Sequence, residues 1–278
     1  MIDKEIENIE IDLFLEGVFR RYGYDFRNYA KASLHRRINL LLEEKDYKSP
    51  TKLLAELLYN QNIFADFLQK MSVTVTDMFR DHDFFLALRK HVIPKLSSFP
   101  RIKVWHAGCA TGEEVYSTAI LLYEAGLLER STLYATDYNN HSLEIAKQGV
   151  YSAELIKTYT KNYNKSGGES SFSDYYLAKF GNAIMDAKLK KNIVFSHHNL
   201  VSDGIFGSMN LVICRNVLIY FNKELQDQVL EKLADSTDMR GYLCLGDKET
   251  IDYSSISDQF VQLADQKIFH KSSKGASY

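Results

Sequence analysis

Apolar side chains in the first quarter of the chain recur at three- and four-residue steps. Ile11, Phe14, Leu15, Val18 and Phe19 form one series, Leu34, Ile38, Leu41 and Leu42 a second, and Leu53, Leu54, Leu57 and Leu58 a third. This is the period of helices that bury one face, and Gly23 and the turn Lys48-Ser49-Pro50 separate them. The pattern predicts three or four short helices forming an all-helical domain over residues 1–71. Residues 72–94 read as a connector and a helix that contribute to a ligand site. The β-branched alternation at 73–76 is extended, Thr76 or Asp77 is placed to cap the helix behind it, Arg80 falls on the first turn, and Pro94 breaks it. Beyond residue 95 the period alternates between two and 3.6. Strands are predicted at 102–105, 132–136, 193–196, 209–214 and 242–245, helices after 113, 139 and 223, and a final antiparallel pair near 259–263 and 267–270. Such alternation predicts an α/β domain with a mostly parallel sheet over residues 95–278. Residues 151–192 do not fit that rhythm. The polar run at 161–171 reads as a loop, and 175–190 is too short and too weakly helical around Gly181-Asn182 for a regular unit. The segment is expected to be an inserted subdomain with a small antiparallel element.

The stretch V-W-H-A-G-C-A-T-G-E-E-V-Y at 104–116 reads as strand, glycine turn and helix. Glycines let a ligand approach bare backbone. The spacing Gly108-x3-Gly112 does not match G-x-G-x-x-G, and Glu113 and Glu114 at the helix start would repel a pyrophosphate. A ligand bearing a cation, or hydroxyls, fits better. Asp137 ends the second predicted strand, 25 residues beyond Gly112, where an acidic side chain can accept from both hydroxyls of a ribose; capping of the helix at 139–147 is the competing role. Arg80 points to an anionic ligand or to an ion pair with Asp77 or Asp83.

Composition narrows the partners. The net charge of −2 gives no general affinity for nucleic acid. Three cysteines, Cys109, Cys214 and Cys244, form no C-x-x-C pair, so no disulfide framework or cysteine zinc site is expected. Cys214, beside an arginine, reads as a packed strand-end residue rather than a reactive thiol. His197 and His198 are adjacent and face opposite sides of a strand, so no shared metal is expected. No apolar run is long enough to span a membrane, and the acidic start lacks the plan of a signal peptide; a cytoplasmic protein without membrane insertion is expected. Lys31, Arg36 and Arg37 lie outside the Leu34, Ile38, Leu41 stripe. They form either a solvated basic face or a docking surface for an acidic partner helix.

Several stretches together resemble the CheR-type chemotaxis receptor methyltransferases. They are T-V-T-D-M-F-R at 74–80, W-H-A-G-C-A-T-G-E-E-V-Y-S at 105–117, A-T-D at 135–137, F-S-H-H-N-L at 195–200 and C-R-N-V-L-I-Y-F at 214–221. The resemblance implies a class I S-adenosylmethionine-dependent methyltransferase fold, Rossmann-like, with a seven-stranded mostly parallel sheet. It implies transfer of a methyl group from S-adenosylmethionine to glutamate carboxylates of chemoreceptor cytoplasmic helices, leaving S-adenosylhomocysteine. Cofactor contacts would fall on Thr74, Thr76, Arg80, Gly108, Glu113, Asp137, Asn199, Leu200 and the turn Cys214, Arg215, Asn216, with Arg80 and Tyr220 facing the reacting groups and Lys31, Arg36 and Arg37 docking the substrate. The chain departs from the family at Thr74, often asparagine, at His106, commonly serine, and at Asp247 and Lys248 in the G-x-x-E stretch. A monomer is expected. Members that grip a receptor's C-terminal pentapeptide have a longer glycine-containing loop in the inserted subdomain; here the link at 178–189 has only Gly181-Asn182 for its turn, so no pentapeptide tether is expected. A glutamate acceptor is ionised near neutral pH and needs no general base, which agrees with the lack of a Ser-His-Asp or Cys-His set. The rival readings are a noncatalytic S-adenosylmethionine-binding regulator and a methyltransferase for small molecules or nucleic acid.

Overall fold

The computed structural model describes residues 4–72, 76–263 and 265–272. They fall into two compact units, residues 1–73 with 219–228, and residues 74–218 with 229–278.

The first unit holds four helices, α1 (Lys4–Tyr22), α2 (Lys31–Glu44), α3 (Pro50–Leu57) and α4 (Gln61–Met71). The residues of the three periodic series turn inward: Phe14, Val18, Ile38, Leu41, Leu53 and Leu57 are all fully buried, joined by Phe67 of α4. Pro50 opens α3, where its missing N–H costs nothing, and the Asn60 side chain caps α4 by accepting from Asn62 N at 3.0 Å. Residues 219–228 pack with these helices although they lie far along the chain. Ala30 N donates to Tyr220 O and Asn222 N to Asn28 O, both at 2.8 Å, and Tyr29 bridges Phe221 with their rings 5.0 Å apart.

The second unit opens with α5 (His82–Ala87), which runs through a π-helical turn at Leu88–Val92 into α6 (Ile93–Leu96). Pro94 therefore does not break the helix. The π turn already shifts the hydrogen bonding, and Pro94 occupies the start of α6. Nor does the helix begin before Arg80. Phe79 and Asp81 both have positive φ, so Arg80 sits in a turn, Asp81 is the N-cap residue, and Thr76 and Asp77 lie upstream of it.

The sheet follows. β1 (Ile102–Ala107), α7 (Glu113–Glu124), β2 (Ser131–Asp137) and α8 (Asn140–Gln148) form the first βαβα run. The insertion is β3 (Val150–Ser152), α9 (Ala153–Lys165), β4 (Tyr176–Lys179), β5 (Asn182–Met185) and α10 (Ala187–Lys190). Then come β6 (Ile193–His197), β7 (Met209–Cys214), α11 (Lys223–Ser236), β8 (Thr237–Leu245), β9 (Phe260–Gln262) and β10 (Ile268–Lys271). The seven main strands lie in the order β6-β2-β1-β7-β8-β10-β9, parallel except that β10 runs against β8 and β9. This is the class I methyltransferase architecture. β7 is buried at all six positions, as a central parallel strand covered on both faces must be.

The insertion carries a three-stranded antiparallel sheet, β3-β5-β4. Residues 161–165, expected in a loop, are the last turn of α9: Ser152 caps that helix, and Tyr159 and Tyr163 bury one face four residues apart. The β4–β5 hairpin turns on Phe180 and Gly181, both at positive φ, rather than on 181–182; Lys179 pairs with Asn182 across it.

Candidate active site

β1 has β2 on one side and β7 on the other, so the chain order reverses there, and sheets of this kind bind ligands at the C-terminal ends of the strands beside such a reversal. The turn after β1 is built from left-handed residues, Gly108 (φ 81°), Ala110 (φ 47°) and Gly112 (φ 93°). A Cβ on Gly108 would meet Val217 at 2.6 Å, and one on Gly112 would meet Ala146 at 2.9 Å. Ala110 has no such freedom and is held by Asp137, whose Oδ2 accepts its N–H at 2.9 Å. Asp137 Oδ1 accepts from Asn139 N at 2.9 Å, and the Asp137 carbonyl accepts from His198 N at 3.2 Å, which draws the 198–200 segment to the same place. Asp137 does not cap α8. Asn139 does, accepting from His141 N and Ser142 N. Burial raises the Asp137 carboxyl, and the N–H groups of Asn139 and Ala110 hold it back.

Glu113 begins α7 immediately after Gly112. It is buried, accepts from Thr111 Oγ1 at 2.6 Å and from Tyr159 Oη at 3.4 Å, and forms no ion pair among the described residues. Burial raises its carboxyl to about 7. Burial disfavours the charged form of such a carboxyl, and a nearby cation would favour it. Tyr159 was not legible from the sequence as part of this site. It arrives from α9, as does Tyr151 from β3, whose hydroxyl donates to Thr111 O at 2.8 Å.

Asn199 and Leu200 lie in a turn whose ends are tied by Asn199 N to Asp203 Oδ2 at 2.9 Å and Val201 N to Asn199 Oδ1 at 3.0 Å. Lys232 of α11 gathers its carbonyls, donating to Leu200 O, Val201 O and Asp203 O at 3.0, 2.9 and 2.8 Å. The turn after β7 is fixed by Glu249, the acid of the G-x-x-E stretch at 246–249. Its carboxylate accepts from Asn216 N and Leu218 N at 3.0 and 2.8 Å and from Gly246 N at 2.6 Å. Asn216 is left-handed at φ 59°. Cys214 is buried with its thiol pushed well up by desolvation, a packing residue and not a nucleophile. The Arg215 side chain is buried in ion pairs with Asp81 and Glu114 at 2.7 and 2.9 Å. His106 is buried beside that network, its Nδ1 3.4 Å from Glu114 Oε1. Arg80 and Thr76 are half-buried on the segment leading to α5, and Thr74 lies outside the described residues.

In the first unit, Lys31 and Arg36 are exposed on α2. Arg37 is not part of that exposed face: it is buried, donates to Met71 O, and lays its guanidinium over the Tyr220 ring at 4.9 Å.

A left-handed turn packed against Val217 and Ala146, the buried carboxyl of Glu113 and the acidic end of β2 thus lie at the C-terminal ends of the central strands. Residues 74–268 match the CheR methyltransferase, SAM binding domain, and residues 9–72 the CheR methyltransferase, all-alpha domain. The chain is 49% identical over 273 residues to a Pseudomonas putida protein described as "Putative methyltransferase Cher3", covering 98% of this chain and 100% of that one. It is 31% identical over 252 residues to an uncharacterized 104.1 kDa protein of Rhodobacter capsulatus, covering 86% of this chain but only 25% of that longer protein. It is 29% identical over 240 residues to a chemotaxis protein methyltransferase of Listeria innocua, covering 86% and 88%. The chain belongs to the CheR methyltransferase family, and it is an S-adenosylmethionine-dependent methyltransferase.

Proposed function

We propose that this enzyme esterifies glutamate side chains on the cytoplasmic helices of a chemoreceptor. The observation that carries the reading is the chemistry of the second unit's site: carboxylates for a cation, an arginine for an anion, and thiols at Cys109 and Cys214 that burial holds protonated. Bound S-adenosylmethionine supplies an activated methyl group. An ionised acceptor carboxylate would take that methyl as the sulfur–carbon bond breaks, so the protein would need no group to remove a proton. The protein's part is to hold the reactants in line and exclude water.

Glu113 takes the cofactor's positive groups, Asp137 its ribose hydroxyls and Arg80 its α-carboxylate. Thr74, Thr76, Gly108, Asn199, Leu200 and the turn Cys214, Arg215, Asn216 complete the contacts. Tyr220 faces the acceptor, a role that rests on the family resemblance. The helical domain recognises the receptor helix, and Lys31 and Arg36 on α2 supply charge for an acidic partner. The tight hairpin at Phe180-Gly181 supports docking without a C-terminal pentapeptide.

The test is incubation with methyl-labelled cofactor and receptor cytoplasmic fragments with and without their C-terminal pentapeptide. Base-labile label of equal extent on both fragments is expected, with Arg36→Glu reducing it and added salt doing the same. Label absent from the receptor, or stable to base, contradicts the substrate reading; label confined to the fragment bearing the pentapeptide contradicts tether independence.

A further inference from the structure

Two hydroxyls reach the Glu113 carboxylate, and both lead back to the inserted segment. Tyr159, on α9, donates to Oε1 at 3.4 Å from 46 residues away. Thr111 donates to Oε2 at 2.6 Å from the turn itself, but its own carbonyl is held from β3, where the Tyr151 hydroxyl donates to it at 2.8 Å. Three buried tyrosines pack edge-on in a row beside this carboxylate. Tyr116 meets Tyr151 and Tyr151 meets Tyr159, each pair with ring centres 6.1 Å apart. A buried phenol needs a hydrogen-bond partner. Tyr116 has the Ala146 carbonyl at 2.8 Å and Tyr151 that of Thr111, whereas the Tyr159 hydroxyl meets a carboxylate.

The place of Tyr159 is set by the packing of α9. One turn further along that helix, Tyr163 donates to Glu124 of α7, and Asn162 Nδ2 donates to Met78 O at 3.1 Å. Arg89 pairs with the same Glu124 at 2.5 Å and donates to Ser166 O, just past the helix end, at 3.0 Å. These bonds fasten α9 to the core. The Tyr159 contact is long for a hydroxyl on oxygen, and such contacts shorten and strengthen when the acceptor is ionised. We propose that Tyr159 is a positioning residue: its hydroxyl orients the Glu113 carboxylate toward the amine shared by S-adenosylmethionine and S-adenosylhomocysteine, so that the inserted subdomain takes part in holding the cofactor. The inference rests on the assignment of Glu113 to the cofactor's positive groups. Tyr159 acts through Glu113 and need not touch the cofactor.

Tyr159→Phe removes the hydroxyl and keeps the buried ring, so the variant should melt near the parent. Its affinity for S-adenosylhomocysteine at pH 7, read by calorimetry, should fall about three- to ten-fold, the worth of one ordinary hydrogen bond. A hydroxyl bond favours the ionised carboxylate, so the rise of affinity with pH should also move to higher pH in this variant. The other titratable groups that face Glu113 are Asp77 before α5, Cys109 in the turn after β1, Tyr116 on α7 and Tyr151 on β3. Burial holds the thiol and both phenols protonated, and Asp77 is common to parent and variant. The decisive comparison is a cycle with Glu113→Gln. Added to Glu113→Gln, Tyr159→Phe should cost little further affinity, because the carboxylate it serves is gone. A merely structural Tyr159 predicts the same loss in both backgrounds, with no displacement in pH. Parental affinity and pH course in Tyr159→Phe, or equal loss in both backgrounds, overturns the proposal. If Glu113→Gln itself keeps parental affinity, the assignment of Glu113 fails and this inference with it; if Glu113→Gln binds weakly while Tyr159→Phe follows the parent, this inference alone fails.

Discussion

The turns after β1 and after β7 both end parallel strands at the point where the chain order reverses, and both are fixed by a carboxylate from elsewhere in the chain. They differ in what they leave over. Behind β7, Glu249 accepts three backbone N–H groups, and Arg215 is committed to Asp81 and Glu114. Behind β1, Asp137 accepts from the N–H groups of Ala110 and Asn139, and Glu113 accepts from the hydroxyls of Thr111 and Tyr159 and forms no ion pair among the described residues. The turn after β7 has its charges matched inside the protein. The turn after β1 holds a carboxyl pushed up to about 7 by burial, a cost that a cationic ligand can relieve.

The contrast breaks most visibly at Glu249. Glu249→Ala orphans three N–H groups, and at about 1 kcal/mol or more for each it should lower stability by roughly 3 kcal/mol. That corresponds to a melting point about 6–12 °C lower in a protein of this size, read by calorimetry; a parental melting point would mean the turn is held otherwise. Asp137→Ala should have the reverse profile. Its melting point falls less, because two donors are orphaned and a buried carboxyl that resisted ionisation is removed, while affinity for S-adenosylhomocysteine falls roughly ten-fold to over a hundred-fold. Unchanged affinity in the folded variant would show that Asp137 serves the turn alone.

The same contrast explains what was legible in the sequence. The strands and the helical domain were, because Leu34, Ile38 and Leu41 repeat at helical period and 211–214 is a continuous apolar run. The glycine turn and Asp137 were legible because they are local: a strand, a turn and an acidic strand end lie within one short stretch. What could not be read was long-range. Glu249 holds the turn at 216–218 from more than thirty residues away, Tyr159 reaches Glu113 from the insertion, and residues 219–228 pack with helices near the other end of the chain. The period of Arg37 places it off the apolar stripe and so on a basic face; the Met71 carbonyl and the ring of Tyr220, both distant in sequence, account for its burial. The start of α5 was misplaced because the left-handed residues Phe79 and Asp81 carry no glycine to announce them.

The smallest expected effect is also the most direct test. Glu113 has a folded value near 7 against 4.5 for an unperturbed carboxyl, so its contribution to the stability of the empty protein is present below about pH 4.5 and is lost as pH rises through 7. A cation beside it favours the ionised form, so the cofactor's stabilising effect grows over the same interval. Calorimetric titration with S-adenosylhomocysteine from pH 5.5 to 8.5, in buffers of different ionisation heat, measures both the affinity and the protons exchanged. The predicted result is proton release that is largest below pH 7, with affinity weakening by up to about ten-fold per unit of acidification below 7, and both features lost in Glu113→Gln. Affinity and proton exchange that follow the same pH course in Glu113→Gln as in the parent would contradict the assignment of Glu113 as the cofactor's counter-charge.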